Sequence, residues 1–136
     1  MRNSITARMD FSYQGKEHVL SVGIDLDKMM EQSGSLPDFH RFLARENNID
    51  THSYLYEVME SYEVIFENAS GLAVKCLSEG KFDLQAFEKL WHQEKVLEIL
   101  QEIATTNLGV SNLEQESKLK AALLAAYNAG QSAKRH

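Results

Sequence analysis

Residues 51–79 read THSYLYEVMESYEVIFENASGLAVKCLSE, and how this stretch folds decides where everything else packs. Its apolar residues Leu55, Val58, Met59, Tyr62, Ile65, Phe66, Ala69, Leu72, Ala73, Cys76 and Leu77 keep the i, i+3, i+4, i+7 spacing of an amphipathic helix. Glu57, Glu60, Glu67, Lys75, Ser78 and Glu79 fall on the opposite side. Asp50 or Thr51 is placed to cap the amino end, and Gly80 to end the helix in a left-handed conformation. Unbroken, such a helix is about 43 Å long at 1.5 Å per residue, a spine for the other elements. A rival reading makes residues 63–66 and 72–77 two strands joined by Asn68-Ala69-Ser70-Gly71. The helix is preferred because it explains the whole stripe, whereas the hairpin explains chiefly the glycine.

Upstream, residues 4–26 carry two alternating runs around Gln14-Gly15. A two-residue turn there pairs Tyr13 with Lys16, Phe11 with His18, Met9 with Leu20, Ala7 with Val22 and Ile5 with Ile24. All of these point to one side of the sheet, while the other side is polar apart from Val19. A lone hairpin is marginal in water, so helices must cover its apolar face, and its edges either stay solvated or pair with another chain.

Short helices are expected after Asp25 and after Ser35, the latter with Pro37 in its first turn and Asp38 reaching back to a Ser35 cap. Downstream of the spine, Asp83 caps a helix over about 84–107, broadly apolar from 96 to 104. A last helix runs from Leu113 to near Gly130, and residues 131–136 form a frayed tail.

The chain has 136 residues and a formal charge of −6, enough length for one core without metal or disulfides and the wrong sign for a nucleic-acid partner. Its single cysteine, Cys76, reads as a core residue, which suits a reducing compartment. No apolar run reaches the roughly 18 residues of a membrane span, and the amino terminus lacks a signal-peptide core, so the expected location is cytoplasmic. No phosphate loop, dinucleotide fingerprint or Gly-x-Ser-x-Gly elbow occurs. The Asp25-x-Asp27 spacing reads as helix capping ahead of a cation site.

Candidate chemistry rests on few residues. Glu88 and His92 are spaced by four, unlike the Glu-x-x-His pairs of bundle metal sites, and the spine glutamates face away from the stripe. Glu94 falls in the arc of Phe87, Leu90, Trp91 and Leu97, where it sits at a bundle edge, pairs with a cation, or works with a raised pKa. His18, opposite Phe11, reads as a histidine at the core margin. Met29 and Met30 offer an adaptable contact surface or plug the end of the hairpin.

The expectation is an α+β fold in one domain, 1–136. A β-hairpin (about 4–26) lies on a helical body (about 27–130) of four to five helices, three of them long. The leading function is a small cytoplasmic binding or scaffolding protein that acts as a homodimer, with no cofactor, metal, nucleic acid or membrane. The alternative is a small enzyme or a ligand or metal sensor, with a pocket between helices 51–79 and 84–107 that uses His92, Glu94, Trp91 and Tyr62.

Overall fold

The computed structural model describes residues 2–134 of the chain. The fold is α+β, with a three-stranded antiparallel sheet and five helices of seven or more residues among the described residues. The chain divides into two compact units, one ending at Leu90 and the other beginning at Trp91.

The first unit is built on β1 (Ser4–Tyr13) and β2 (Lys16–Asp25), which pair in the register read from the sequence, from Tyr13↔Lys16 to Ser4↔Asp25 without a break. Gln14 (φ 51°) and Gly15 (φ 77°) are both left-handed, the turn that matches the twist of the strands it joins. Ile5, Ala7, Met9, Phe11, Leu20 and Ile24 are buried on the apolar side. Three short helices follow. α1 (Leu26–Ser33) is capped by Asp25, whose side chain accepts from Lys28 N, and buries Leu26 and Met30. α2 (Phe39–Glu46) starts one turn later than the expected Ser35 cap, because Asp38 takes that role and accepts from His40 N. α3 (Tyr54–Glu60) is capped by Ser53 and buries Tyr56 and Met59. α1 and α3 lie against β1, and α2 against β2 and α3.

The expected spine does not form. After α3 the chain extends into β3 (Ile65–Ser70), turns at Gly71, makes one helical turn α4 (Ala73–Cys76), and closes a small hairpin of β4 (Leu77–Ser78) and β5 (Lys81–Phe82). The rival strand reading is right about β3 but not about residues 72–77, and β3 pairs with β1 instead, giving the order β2-β1-β3. Arg8 explains part of the choice: on the polar side of the sheet its guanidinium lies 3.2 Å from Asp10 and 3.5 Å from Glu67, a pairing that a helical Glu67 would forgo. Asn68 at φ 54° and Gly71 at φ 67° also break any continuous helix. Among the described residues two long helices therefore stand where three are expected, and the helix over 51–79 that was to form one wall of the anticipated pocket is replaced by α3, β3, α4 and β4.

Asn3 closes the first unit. It is 4 % exposed, donates its backbone N–H (2.9 Å) and Nδ2 (2.7 Å) to the Asp27 carboxylate, and accepts from Leu72 N (2.8 Å) through Oδ1. One side chain thus joins the chain's amino end, α1 and the turn after β3.

α5 (Leu84–Leu108) begins in the first unit and continues into the second. Asp83 caps it as expected, its Oδ1 accepting from Ala86 N at 3.0 Å. In the second unit Leu100, Ala104 and Leu113 form a small buried cluster, with Val96, Val110, Leu119, Leu123 and Leu124 packed on it. Leu113 opens a short 3-10 turn, and α6 (Ser117–Lys134) follows. Residues 131–134 belong to α6, not to a frayed tail, and Arg135 and His136 lie outside the described residues.

Candidate functional site

Residues proposed from the sequence as a site fall on both units. Met30 is part of the core and Met29 is half-buried beside it, so the pair forms no exposed contact surface. Tyr62 is 38 % exposed, its ring tilted against Phe11 at 5.9 Å, while His18 stacks on the same phenylalanine at 5.0 Å. Trp91 and His92 are brought together edge to face at 5.3 Å, and Lys95 Nζ lies 5.2 Å from the Trp91 ring centroid, a cation–π distance. Glu94 is half-buried and His92 exposed. Among the described residues no group of three or more His, Cys, Asp or Glu is arranged to hold a metal ion. Asp25 and Asp27 serve as acceptors for backbone N–H groups.

Three surfaces remain as candidates. One is a groove of about 490 Å³ in the first unit, with Phe39, Phe66 and Phe82 as its floor and Asp38, His40 and Lys81 on its rim. Phe39–Phe66 and Phe66–Phe82 centroids are 5.2 and 5.4 Å apart. His40 Nε2–H donates to the Tyr62 carbonyl at 2.8 Å, which fixes the ring and leaves Nδ1 towards Asp38 Oδ1 at 3.9 Å. Its lining holds no serine, threonine or cysteine, and its polar groups are Asp38, His40, Glu63 and Lys81. Its residues come from three distant segments, and no local pattern announces them.

The second surface is the outer edge of β2, with Val19 69 % exposed on its polar side. The outer edge of β3 is met by the small hairpin, where Phe66 N donates to Gly80 O at 2.9 Å. The third surface is the helical face of the second unit. Ile99, Ile103 and Leu108 are 52 %, 44 % and 61 % exposed, and α6 contains no buried residue.

Cys76 and Tyr56 bear on stability. Burial, and then the Asp83 charge, raise the Cys76 thiol above its ordinary 9.0, with Lys75 opposing. Burial, followed by Asp38 and Glu60, raises Tyr56 above 10.0 against a smaller opposing effect of Arg41. Both groups are neutral when protonated, and unfolding lets them ionise more easily. The folded state therefore keeps its full stability below these ordinary values and loses it as pH climbs through the higher folded ones. The urea midpoint is expected to be flat from about pH 7 to 8.5 and lower at about pH 10, with Cys76→Ala reducing the drop. A midpoint unchanged at pH 10 would contradict this.

Comparisons of the chain with protein-family models, with curated proteins and with solved structures found no match. No helix among the described residues is long and apolar enough to cross a membrane.

Proposed function

We propose that this protein is a binding module that acts as a homodimer, two copies pairing through α5 and α6 into a four-helix arrangement. The observation that carries the reading is α6, a helix of 18 residues that buries none of them. Helices owe most of their stability in proteins to a packed apolar stripe, and Leu119, Leu123, Leu124 and Tyr127 supply one here that is only partly covered. Ile99 and Ile103, one turn apart on α5, extend that apolar surface.

Charge argues for a second copy as the occupant. From Trp91 onward α5 carries Glu94, Glu98 and Glu102 against Lys95, whereas α6 carries no acid and has Lys118 and Lys134 beside Lys120, which Glu114 holds at 2.8 Å. A twofold axis sets each acidic helix against the other copy's basic one, the isologous arrangement that closes without polymerising. A cytoplasmic location fits the buried free thiol of Cys76.

Light scattering at micromolar concentration is expected to give twice the 15.5 kDa chain mass. Ile99→Glu with Ile103→Glu should return the monomer. The two substitutions remove four anchors from a symmetric interface, and at about 1 kcal/mol for each they weaken association by on the order of a thousandfold. A monomeric parent, or a mass unaltered by the double substitution, would rule this arrangement out.

A further inference from the structure

β2 is a ten-residue strand with a partner on one side. The two-residue turn makes Tyr13 and Lys16 a pair that exchanges both hydrogen bonds, and the alternation along an antiparallel ladder then settles the rest. Glu17, Val19, Ser21 and Gly23 direct their N–H and C=O groups off the sheet. Among the described residues no backbone group is recorded against them.

Long bare edges are ordinarily blunted by a proline, a bulge or charges along the strand. β2 has none of these between His18 and Ile24, its register against β1 is unbroken, and exposed Val19 sits at its middle. The surrounding charge favours one kind of occupant. On the polar side Asp10 lies opposite Val19, and Glu17 is its neighbour along the strand. Arg8 is shared there between Asp10 and Glu67, one positive charge against two negative, so with Glu17 the polar side keeps an acidic excess. Of the two symmetric self-pairings that overlap most, the one centred on Ser21 sets Glu17 of each copy against Asp25 of the other, a like-charge contact, and the one centred on Leu20 sets Glu17 against Gly23 and brings no cation to the acidic side.

We infer that β2 is an acceptor edge for an extended basic segment of another protein, which adds to the sheet as a fourth strand. Backbone hydrogen bonds to Val19, Ser21 and Gly23 hold the segment. A lysine or arginine across from Glu17 and a β-branched residue across from Val19 set its register, and apolar side chains on its other face extend the row of Leu20 and Val22. The inference does not depend on the dimer, since the helical face lies on the other unit.

The test is fluorescence anisotropy with the full chain and a blocked, labelled octapeptide of alternating lysine, valine and threonine. Binding is expected to fall about tenfold or more when alternate peptide nitrogens are methylated, removing the donors that face β2. It should also fall when glutamates replace the lysines. Ser21→Pro, which removes only an outward N–H, and Val19→Lys should each weaken binding about tenfold, with the denaturation midpoint retained. The Ile99→Glu, Ile103→Glu protein should bind like the parent, which separates this edge from the dimer interface. No binding at about 1 mM peptide, equal binding of the methylated peptide, or binding untouched by both β2 variants would overturn the proposal. So would a fall in molecular mass caused by the β2 variants, which would identify a second copy as the occupant.

Discussion

Gly71→Ala is expected to lower stability by about 3 kcal/mol or more, out of the 5–15 kcal/mol typical of a domain. Two effects add. Gly71 has φ +67°, a conformation that costs an L-residue about 1–2 kcal/mol. Its missing Cβ also leaves room that the Arg2 carbonyl oxygen and Asn3 Oδ1 already occupy. Something must shift, and both neighbours are backbone or are tied to it. The bond from Leu72 N to Asn3 Oδ1, 2.8 Å long, is the first to go, leaving a buried amide acceptor unpaired at about 1–3 kcal/mol. Gly15 is the control: its φ of +77° is as left-handed, but nothing lies within reach of an added Cβ, so Gly15→Ala should lose only about 1 kcal/mol. Asn3→Ala disrupts the same junction, and the double variant should therefore lose less than the sum of the two. Urea denaturation of the parent and the four variants decides the matter, and equal losses at Gly71 and Gly15 would show that the Asn3 junction is slack.

The hairpin was legible because everything that specifies it is local: a left-handed turn at Gln14-Gly15 and side chains that alternate outward from it. Residues 51–79 mislead for an equally physical reason. Their most buried members are Tyr56, Met59, Phe66, Ala73 and Cys76, spaced three, seven, seven and three apart, which is a helical face. Three different elements produce that spacing, α3, β3 and α4, each turning an inward residue to the same core. What breaks the helix lies far away in sequence: the open side of β1, Arg8 waiting for Glu67, and Asn3 against Gly71. No window of residues 51–79 contains those partners. The same holds for the groove, assembled from residues 37–40, 63–66 and 81–84. Val19, by contrast, stands out as the one apolar residue on a polar face, and the apolar breadth of residues 96–104 divides in the structure into an inner row, Leu100 and Ala104, and an exposed one, Ile99 and Ile103.

Phe87→Ala is the other substitution expected to have a large effect, about 3–5 kcal/mol, because a phenylalanine with no solvent exposure leaves a cavity that its neighbours fill poorly. Those neighbours form a relay of rings: Phe87 on Phe82 at 5.7 Å, Phe82 on Phe66 at 5.4 Å, and Phe66 edge to face on Phe39 at 5.2 Å. The relay ties the first turns of α5 to the small hairpin, to β3 and to α2, so the loss is shared by elements that meet nowhere else in sequence. Phe87→Leu keeps most of the volume and should lose less than about 1.5 kcal/mol if the site is filled mainly by bulk. A loss as large as that of alanine would instead assign the ring's edge and face contacts the larger share. Val74→Ala, at a position 57 % exposed, should stay within about 0.5 kcal/mol of the parent. Hydrogen exchange gives the sharper reading. With Phe87 truncated, protection should fall at Phe66 N, which bonds to Gly80 O across the relay, while the β1–β2 ladder keeps more of its own. Uniform loss along both would mean that the first unit opens as one body and that the relay has no boundary of its own.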